Sequence, residues 1–297
     1  MNALDFIKLK PEIFNAYEKE KTTISVGTPG KNAIVNLNFE RYNERTYLTN
    51  VYNTIPARVV RELYYDEFNP EIPYIIFSNP TGGIVEGDRY YYTIHLGKNA
   101  EAFLTDSTAT KIYKMDSNYA SREIEIFLDE NSRLEFLQKE SIHFKNSRWY
   151  QKTIIHVQKN TKMLYSDIFV PGRVAMGEFW DFKIFSNTFV IEEGDDIILF
   201  DSSNYFDSDK KNIGIIFGNN KYLLNAYWYS GNEVKENISL DDIDDVIYGI
   251  TKMPYNRGYF IRALSNNLDA VKNMQLKIWK NFREKEVNKK VPFLRIY

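Results

Sequence analysis

Short runs of alternating or β-branched apolar residues recur along most of the chain, each closed off by a cluster of polar turn residues. That period of two predicts strands at Ala33 to Phe39, Tyr74 to Ser78, Tyr90 to Leu96, Arg122 to Leu128, Lys152 to Val157 and Lys221 to Tyr229. In Arg122-Glu-Ile-Glu-Ile-Phe-Leu, Glu123 and Glu125 alternate with Ile124 and Ile126. The carboxylates therefore fall on one face and the branched side chains on the other, the signature of a half-buried strand. Two segments near the C-terminus have a helical period instead. Ser239 is placed to cap a helix over Leu240 to Ile250, with Asp241 and Asp242 in the first turn and Leu240, Ile243, Val246, Ile247 and Ile250 as its stripe. A second helix is expected from Asn267 to Lys285, with Val271, Met274, Ile278 and Phe282 on one face and Pro292 beyond it. The mixed-charge end of that segment, Arg283 to Lys290, reads as a solvated helix terminus. Strands followed by helices predict an all-β-dominated body with a small helical appendage.

No Pro-, Gly- or Ser-rich linker and no repeat of fixed period interrupts the chain, so residues 1–297 read as one domain. The missing repeat argues against a regular solenoid and leaves an irregular one open. Hydrophobic residues at 43% are enough for a real core, and 22 Tyr with 20 Phe suit half-buried pleated surfaces. Charges nearly cancel to a net −2, which gives no global attraction to nucleic acid or to an anionic membrane. Cysteine is absent, so disulfides, thiolate metal sites and a cysteine nucleophile are excluded together. The first residues carry no signal-like apolar stretch and no later run is long enough to span a bilayer. The expectation is a soluble cytoplasmic protein.

The stretch Asn79-Pro-Thr-Gly-Gly-Ile-Val-Glu-Gly-Asp-Arg89 gives Gly82 and Gly87 the spacing of a phosphate-loop pair, but Asp88 follows where such a loop needs lysine. A carboxylate there repels phosphate, and the flanks read strand–turn–strand, so nucleotide binding is rejected in favour of a tight turn. His95, His143 and His156 lie in separate strand-like segments without the spacing that pre-forms a metal site. A Ser/His/Asp triad has no nucleophile elbow to support it. Glu140, Asp167 and Glu178 stand in glycine-rich or apolar surroundings, where each is either an arginine partner or a functional acid.

Several ordered blocks then point the same way. Pro80-Thr-Gly-Gly-Ile-Val-Glu-Gly-Asp88, Leu104-Thr-Asp-Ser-Thr-Ala-Thr-Lys111 with Tyr113, Leu134-Glu-Phe-Leu-Gln-Lys-Glu-Ser-Ile-His-Phe144, and Asp167 with Gly172-Arg173 and Gly177-Glu178 resemble the urease accessory protein family UreD, also called UreH. Pro56, Arg61, Leu63 and Tyr64 resemble its N-terminal motif, and Arg262-Ala-Leu264, Trp279, Arg283 and Arg295-Ile-Tyr297 its C-terminal one. Gln138, Lys139, Ser166 and the pair Asp106-Ser107 depart from the usual residues of that family.

The resemblance implies an irregular β-helix-like stack of short strands with two helices near the C-terminus. It implies a non-enzymatic scaffold that acts with UreF-like and UreG-like accessory proteins on apo-urease, with nickel passing through a water-filled tunnel. No cofactor is then permanently bound, and Ni2+ is transient. Asp88, Glu140 and Glu178, each on a family-like motif, are the expected contacts of that path, with Arg89, Lys111 and Arg173 holding them ionised. Isolated carboxylates without His or Cys clusters suit a conduit, which must release its cargo. The alternative, from a different class, is a carbohydrate-active β-helix enzyme using paired carboxylates.

Overall fold

The computed structural model describes residues 10–18, 30–240 and 243–293. Among the described residues the expected alternation becomes sixteen strands in two facing sheets. In chain order they are β1 (Asn32–Tyr42), β2 (Arg45–Asn53), β3 (Arg58–Val59), β4 (Tyr74–Ser78), β5 (Arg89–Leu96), β6 (Glu101–Asp106), β7 (Thr110–Ile112) and β8 (Ala120–Leu128), followed by β9 (Arg133–His143), β10 (Arg148–Val157), β11 (Lys162–Val170), β12 (Ile184–Glu193), β13 (Asp196–Phe206), β14 (Tyr222–Tyr229), β15 (Val246–Lys252) and β16 (Gly258–Ser265). The first sheet runs β13-β12-β10-β8-β5-β1-β2 and the second β15-β16-β14-β11-β9-β6-β4-β3, with β7 beside β9.

The middle of the molecule is a solenoid-like stack. From β5 to β12 the named strands alternate between the sheets, β7 adding a short strand to the second, and β5, β8, β10 and β12 pair in parallel in the first sheet while β6, β9 and β11 do so in the second. The coils share a four-residue turn with asparagine third, at Asn99, Asn131 and Asn160, each in the left-handed region with φ of 60°, 61° and 60°. Asparagine is among the few L-residues that tolerate that conformation. The turns also stack: the Asn131 N–H donates to Lys159 O and Asn160 Nδ2 donates to Asn131 Oδ1, at 3.0 and 3.1 Å. So a repeat does exist, carried by an asparagine at the same turn of each coil.

Inward residues of both sheets, among them Leu37, Ile94, Ile126, Phe136, Tyr165 and Phe189, form the main core. Ile124 and Ile126 are buried while Glu125 is exposed, as the pattern required. Two helices follow toward the C-terminus, a short α1 (Ile213–Phe217) and α2 (Leu268–Asn281). The Asn267 side chain caps α2 by accepting from the Asp269 and Ala270 N–H groups. Its apolar stripe, with Val271, Met274, Ile278 and Phe282, covers Leu164, Ile168, Leu224 and Ile261 on the outer face of the second sheet.

Two expectations need correction. Leu240 to Ile250 is not a helix: Val246 to Lys252 is an edge strand, antiparallel to β16 from Val246 opposite Ser265 to Lys252 opposite Tyr259. Asp241 and Asp242 lie outside the described residues. The stretch is rich in β-branched residues, and the open edge of β16 offers a hydrogen-bonding partner that outweighs a helical stripe. Arg283 is not a solvated terminus either, being 0% exposed. It donates to Glu135, to Asp66 and to the Tyr74 hydroxyl at 2.7, 2.6 and 2.7 Å.

Candidate functional site

The three carboxylates singled out by motif occupy three different settings. Asp88 is 1% exposed, and its oxygens accept from the backbone N–H groups of Lys31 and Val85 at 3.0 and 3.1 Å, which closes the turn before β5. Burial pushes this carboxyl up, against the pull of those N–H donors. Arg89 does not pair with it and instead serves Asn118 and the Tyr119 carbonyl. Glu140 borders a cleft of about 550 Å³ between α2 and strands β6 and β9, where Lys272 holds it at 2.8 Å. Glu178 forms a two-pronged ion pair with Arg173, as expected, at a loop on the surface, and that guanidinium keeps its carboxyl below the ordinary range. Lys111 borders a separate narrow cleft with Asn79, Gly83 and Asp106.

What the fold does bring together is a set of polar side chains pointing inward between the sheets. In the first sheet, Arg122 on β8, Gln151 on β10, Asn187 on β12 and Ser203 on β13 are opposite one another in register and form one row across the strands. In the second sheet, Asp167 on β11, Asn225 on β14 and Arg262 on β16 form the facing row. It is extended by Gln138 at a bulge in β9 and by Asp106 at the end of β6. Strands alternate sides with a period of two, so matching register is what aligns one polar residue per strand in an otherwise apolar interior.

Hydrogen bonds join the rows. Arg122 donates to Gln151 Oε1 from Nε and Nη2 at 3.2 and 2.7 Å, and to Gln138 Oε1 at 3.0 Å. The Lys139 N–H donates to Asp106 at 3.2 Å. Asn225 donates to Asp167 Oδ1 at 3.1 Å, Arg262 donates to Asn225 at 3.1 Å and grips both oxygens of Asp201 at 2.8 Å, and Tyr227 donates to Asp201 at 2.8 Å. Two buried polar atoms on this path have no protein partner, Asp167 Oδ2 and Gln138 Nε2. Unpaired polar atoms are uncommon in folded interiors, and these two leave hydrogen-bonding capacity open on the path. Burial raises the Asp106 carboxyl and pushes Asp167 up to about 6, where nearby Asp201 adds to the effect and Arg122 opposes it.

Residues 31–297 match the family described as UreD urease accessory protein. The chain belongs to the UreD urease accessory protein family. Among curated relatives it is 29% identical over 287 residues to urease accessory protein UreD 2 of Brucella canis, covering 93% of this chain and 95% of that one. It is 28% identical over 294 residues to UreD of Haloarcula marismortui, at 96% and 97% coverage. UreD of Cenarchaeum symbiosum is 27% identical over 256 residues, covering 84% and 90%. In this UreD chain the motif blocks supply much of the second-sheet row, with Asp106 and Gln138 inside two of them and Asp167 and Arg262 in two more.

The histidines make no interior site. His143 is fully buried among Phe169, Phe182 and Phe185, and burial, helped by the Arg122 charge, lowers its pKa to about 3. His95 and His156 flank Phe127 on the outer face of the first sheet, His156 between Glu125 and Glu192 at 3.0 and 3.1 Å. Among the described residues no group of three or more His, Cys, Asp or Glu side chains could hold a metal ion. No helix among them is long and apolar enough to cross a membrane.

Proposed function

We propose that this chain is a non-catalytic scaffold that docks on apo-urease with UreF-like and UreG-like accessory proteins, and that Ni2+ passes transiently between its two polar rows. No cofactor is held permanently in this reading. The observation that carries it is the row of Asp106, Gln138, Asp167 and Asn225 on the second sheet, with Asp201 of the first sheet joined to it through Arg262 and one Asp167 oxygen left without a protein partner. Carboxylate and amide oxygens attract a nickel dication yet bind it far more weakly than a histidine or thiolate cluster, which suits transfer rather than storage. Glu140, at the cleft beside α2, fits an approach contact, whereas Asp88 and Glu178 serve by holding the turns that shape the ends of the strands. The same cleft, lined by Phe103, Leu137, Leu276 and Trp279, is the surface we assign to a UreF-like partner.

The test is urease activation in cells or lysate with nickel limiting, comparing Asp106→Asn and Asp167→Asn with the unaltered chain. Both variants should still be captured with the accessory partners and should activate urease several-fold less, with recovery at excess nickel. A double variant that assembles and activates at the unaltered level at limiting nickel would refute the route.

A further inference from the structure

We propose that Arg122 is a placeholder cation of the interior rows: its guanidinium occupies the position a transiting ion must take, and a dication displaces it where a monovalent ion does not. This rests on the conduit reading above.

Arg122 is unusual in how it is held. It is 5% exposed, yet every contact of its guanidinium hydrogen-bond donors is with a neutral amide, Gln151 or Gln138. Of the other buried arginines, Arg283 is gripped by Asp66 and Glu135 and Arg133 by Glu101, while Arg89, at the start of β5 and outside the rows, bonds to neutral oxygens; the second arginine of the rows, Arg262, is half-exposed and gripped by Asp201. A neutral amide oxygen attracts a guanidinium less than a carboxylate does, so of the two arginines in the rows Arg122 is the more easily released. It also has somewhere to go, because it borders the narrow cleft that Asp106 and Lys111 share. Gln138 is suited to let it leave, since its own Nε2 has no partner and its amide can turn.

Charge decides which ion can make the exchange. The Arg122 charge reaches both Asp106 and Asp167, so with both ionised that stretch carries one net negative charge. A monovalent ion that replaced the guanidinium would leave the sum unchanged and lose its water for nothing. A dication brings the sum to zero, and each carboxylate then attracts twice the charge. Without Arg122 the two buried anions would lose the one cation that reaches both of them, keeping only Lys139 near Asp106 and Arg262 near Asp167, and a passing cation would be held more tightly rather than handed on.

Direct binding of Ni2+ alone to the full-length chain, by calorimetry or equilibrium dialysis at about pH 8 where carboxylates ionise, tests this with Arg122→Gln, Arg122→Met and Arg122→Lys. The two uncharged variants should bind Ni2+ about tenfold or more tightly than the unaltered chain, since a like charge has been removed from the path. Arg122→Lys should stay near the unaltered affinity, and the gain should vanish in Arg122→Gln combined with Asp167→Asn. Uncharged variants that bind no more tightly, or a gain that survives Asp167→Asn, would overturn the assignment. Should the uncharged variants fail to fold, the Arg122 Nε–H resonance of the unaltered chain should broaden as Ni2+ is added, and a resonance that stays unchanged overturns it equally. The conduit is judged separately: if the Asp106→Asn, Asp167→Asn double variant activates urease normally at limiting nickel while Arg122→Gln still gains affinity, the route fails and only an ion site guarded by Arg122 stands.

Discussion

Replacing Arg283 by Met should cost this protein more than almost any other single change. The guanidinium is 0% exposed and satisfies Glu135, Asp66, the Tyr74 hydroxyl and the Lys290 carbonyl. Burial alone would raise the Asp66 carboxyl, but bonds from Arg283 and Tyr74 hold it below its ordinary value. Methionine fills a similar volume and leaves two carboxylates in a place that water does not reach. Breaking such a group by removing one partner costs about 3–5 kcal/mol, or roughly two to four powers of ten in the folding equilibrium. For a chain of this size that is a drop of about 6–20 °C in Tm. Urea unfolding followed by the signal of Trp279, which packs on Arg283 and donates to Glu135, reads the loss directly. Adding Asp66→Asn and Glu135→Gln to Arg283→Met should recover most of it, because replacing a whole buried ion cluster by neutral groups is often harmless. A loss under about 1 kcal/mol for the single variant, or a triple variant no better than the single, would refute the reasoning. The sign in pH follows too: a carboxyl held low contributes stability above its unfolded pKa, and the contribution disappears as pH falls through the folded value, so the unaltered chain should lose more stability in acid than the triple variant.

Asp167→Asn should stabilise the fold while harming function. Its carboxyl sits at about 6 against an ordinary 3.8, so the folded state binds the extra proton and stability falls as pH rises from about 4 to 6; the variant should gain up to about 3 kcal/mol at neutral pH in urea unfolding, and no gain would refute the burial argument. Asn131→Gly should be tolerated and Asn131→Val should cost about 1–2 kcal/mol, because the residue is held at φ 61°; equal losses in thermal unfolding would show that the side-chain ladder matters more than the backbone. Truncation after Leu264 removes α2 and uncovers Leu164, Ile168, Leu224 and Ile261, so the product should lack near-ultraviolet circular dichroism and aggregate, and a folded product would refute the assigned core. Leu276→Asp, at a position 42% exposed, should keep the fold and weaken capture of a UreF-like partner; undiminished capture would move that interface elsewhere.

The strands were legible because a buried face and a wet face alternate within a few residues, as at Glu123 to Ile126, and α2 was legible because its cap, stripe and length agree. The edge strand β15 was not, since Val246, Ile247 and Ile250 satisfy both periods and only the waiting edge of β16 decides between them. Of the site, Asp167 stood out by its surroundings. Arg122, Gln151, Asn187 and Ser203 could not, as each is a single polar residue in its own strand and their neighbourhood exists only once the register is set. Arg283 looked exposed for a related reason: its carboxylate partners are 217 and 148 residues away. The one signal left in the sequence was an asparagine recurring in turns at Asn99, Asn131 and Asn160, too sparse to find without the coils.

That long reach bears on how the chain is made. Asp66 emerges 217 residues before Arg283 and must wait for it to meet its counter-charge. Successive coils can be laid down on the growing stack in order, each using the previous strand as template, but until α2 arrives the outer face of the second sheet stays bare and the Asp66 carboxylate lacks its buried guanidinium partner. A ribosome paused before α2 has emerged would therefore hold a stack with an apolar flank, the form of this chain most in need of a chaperone.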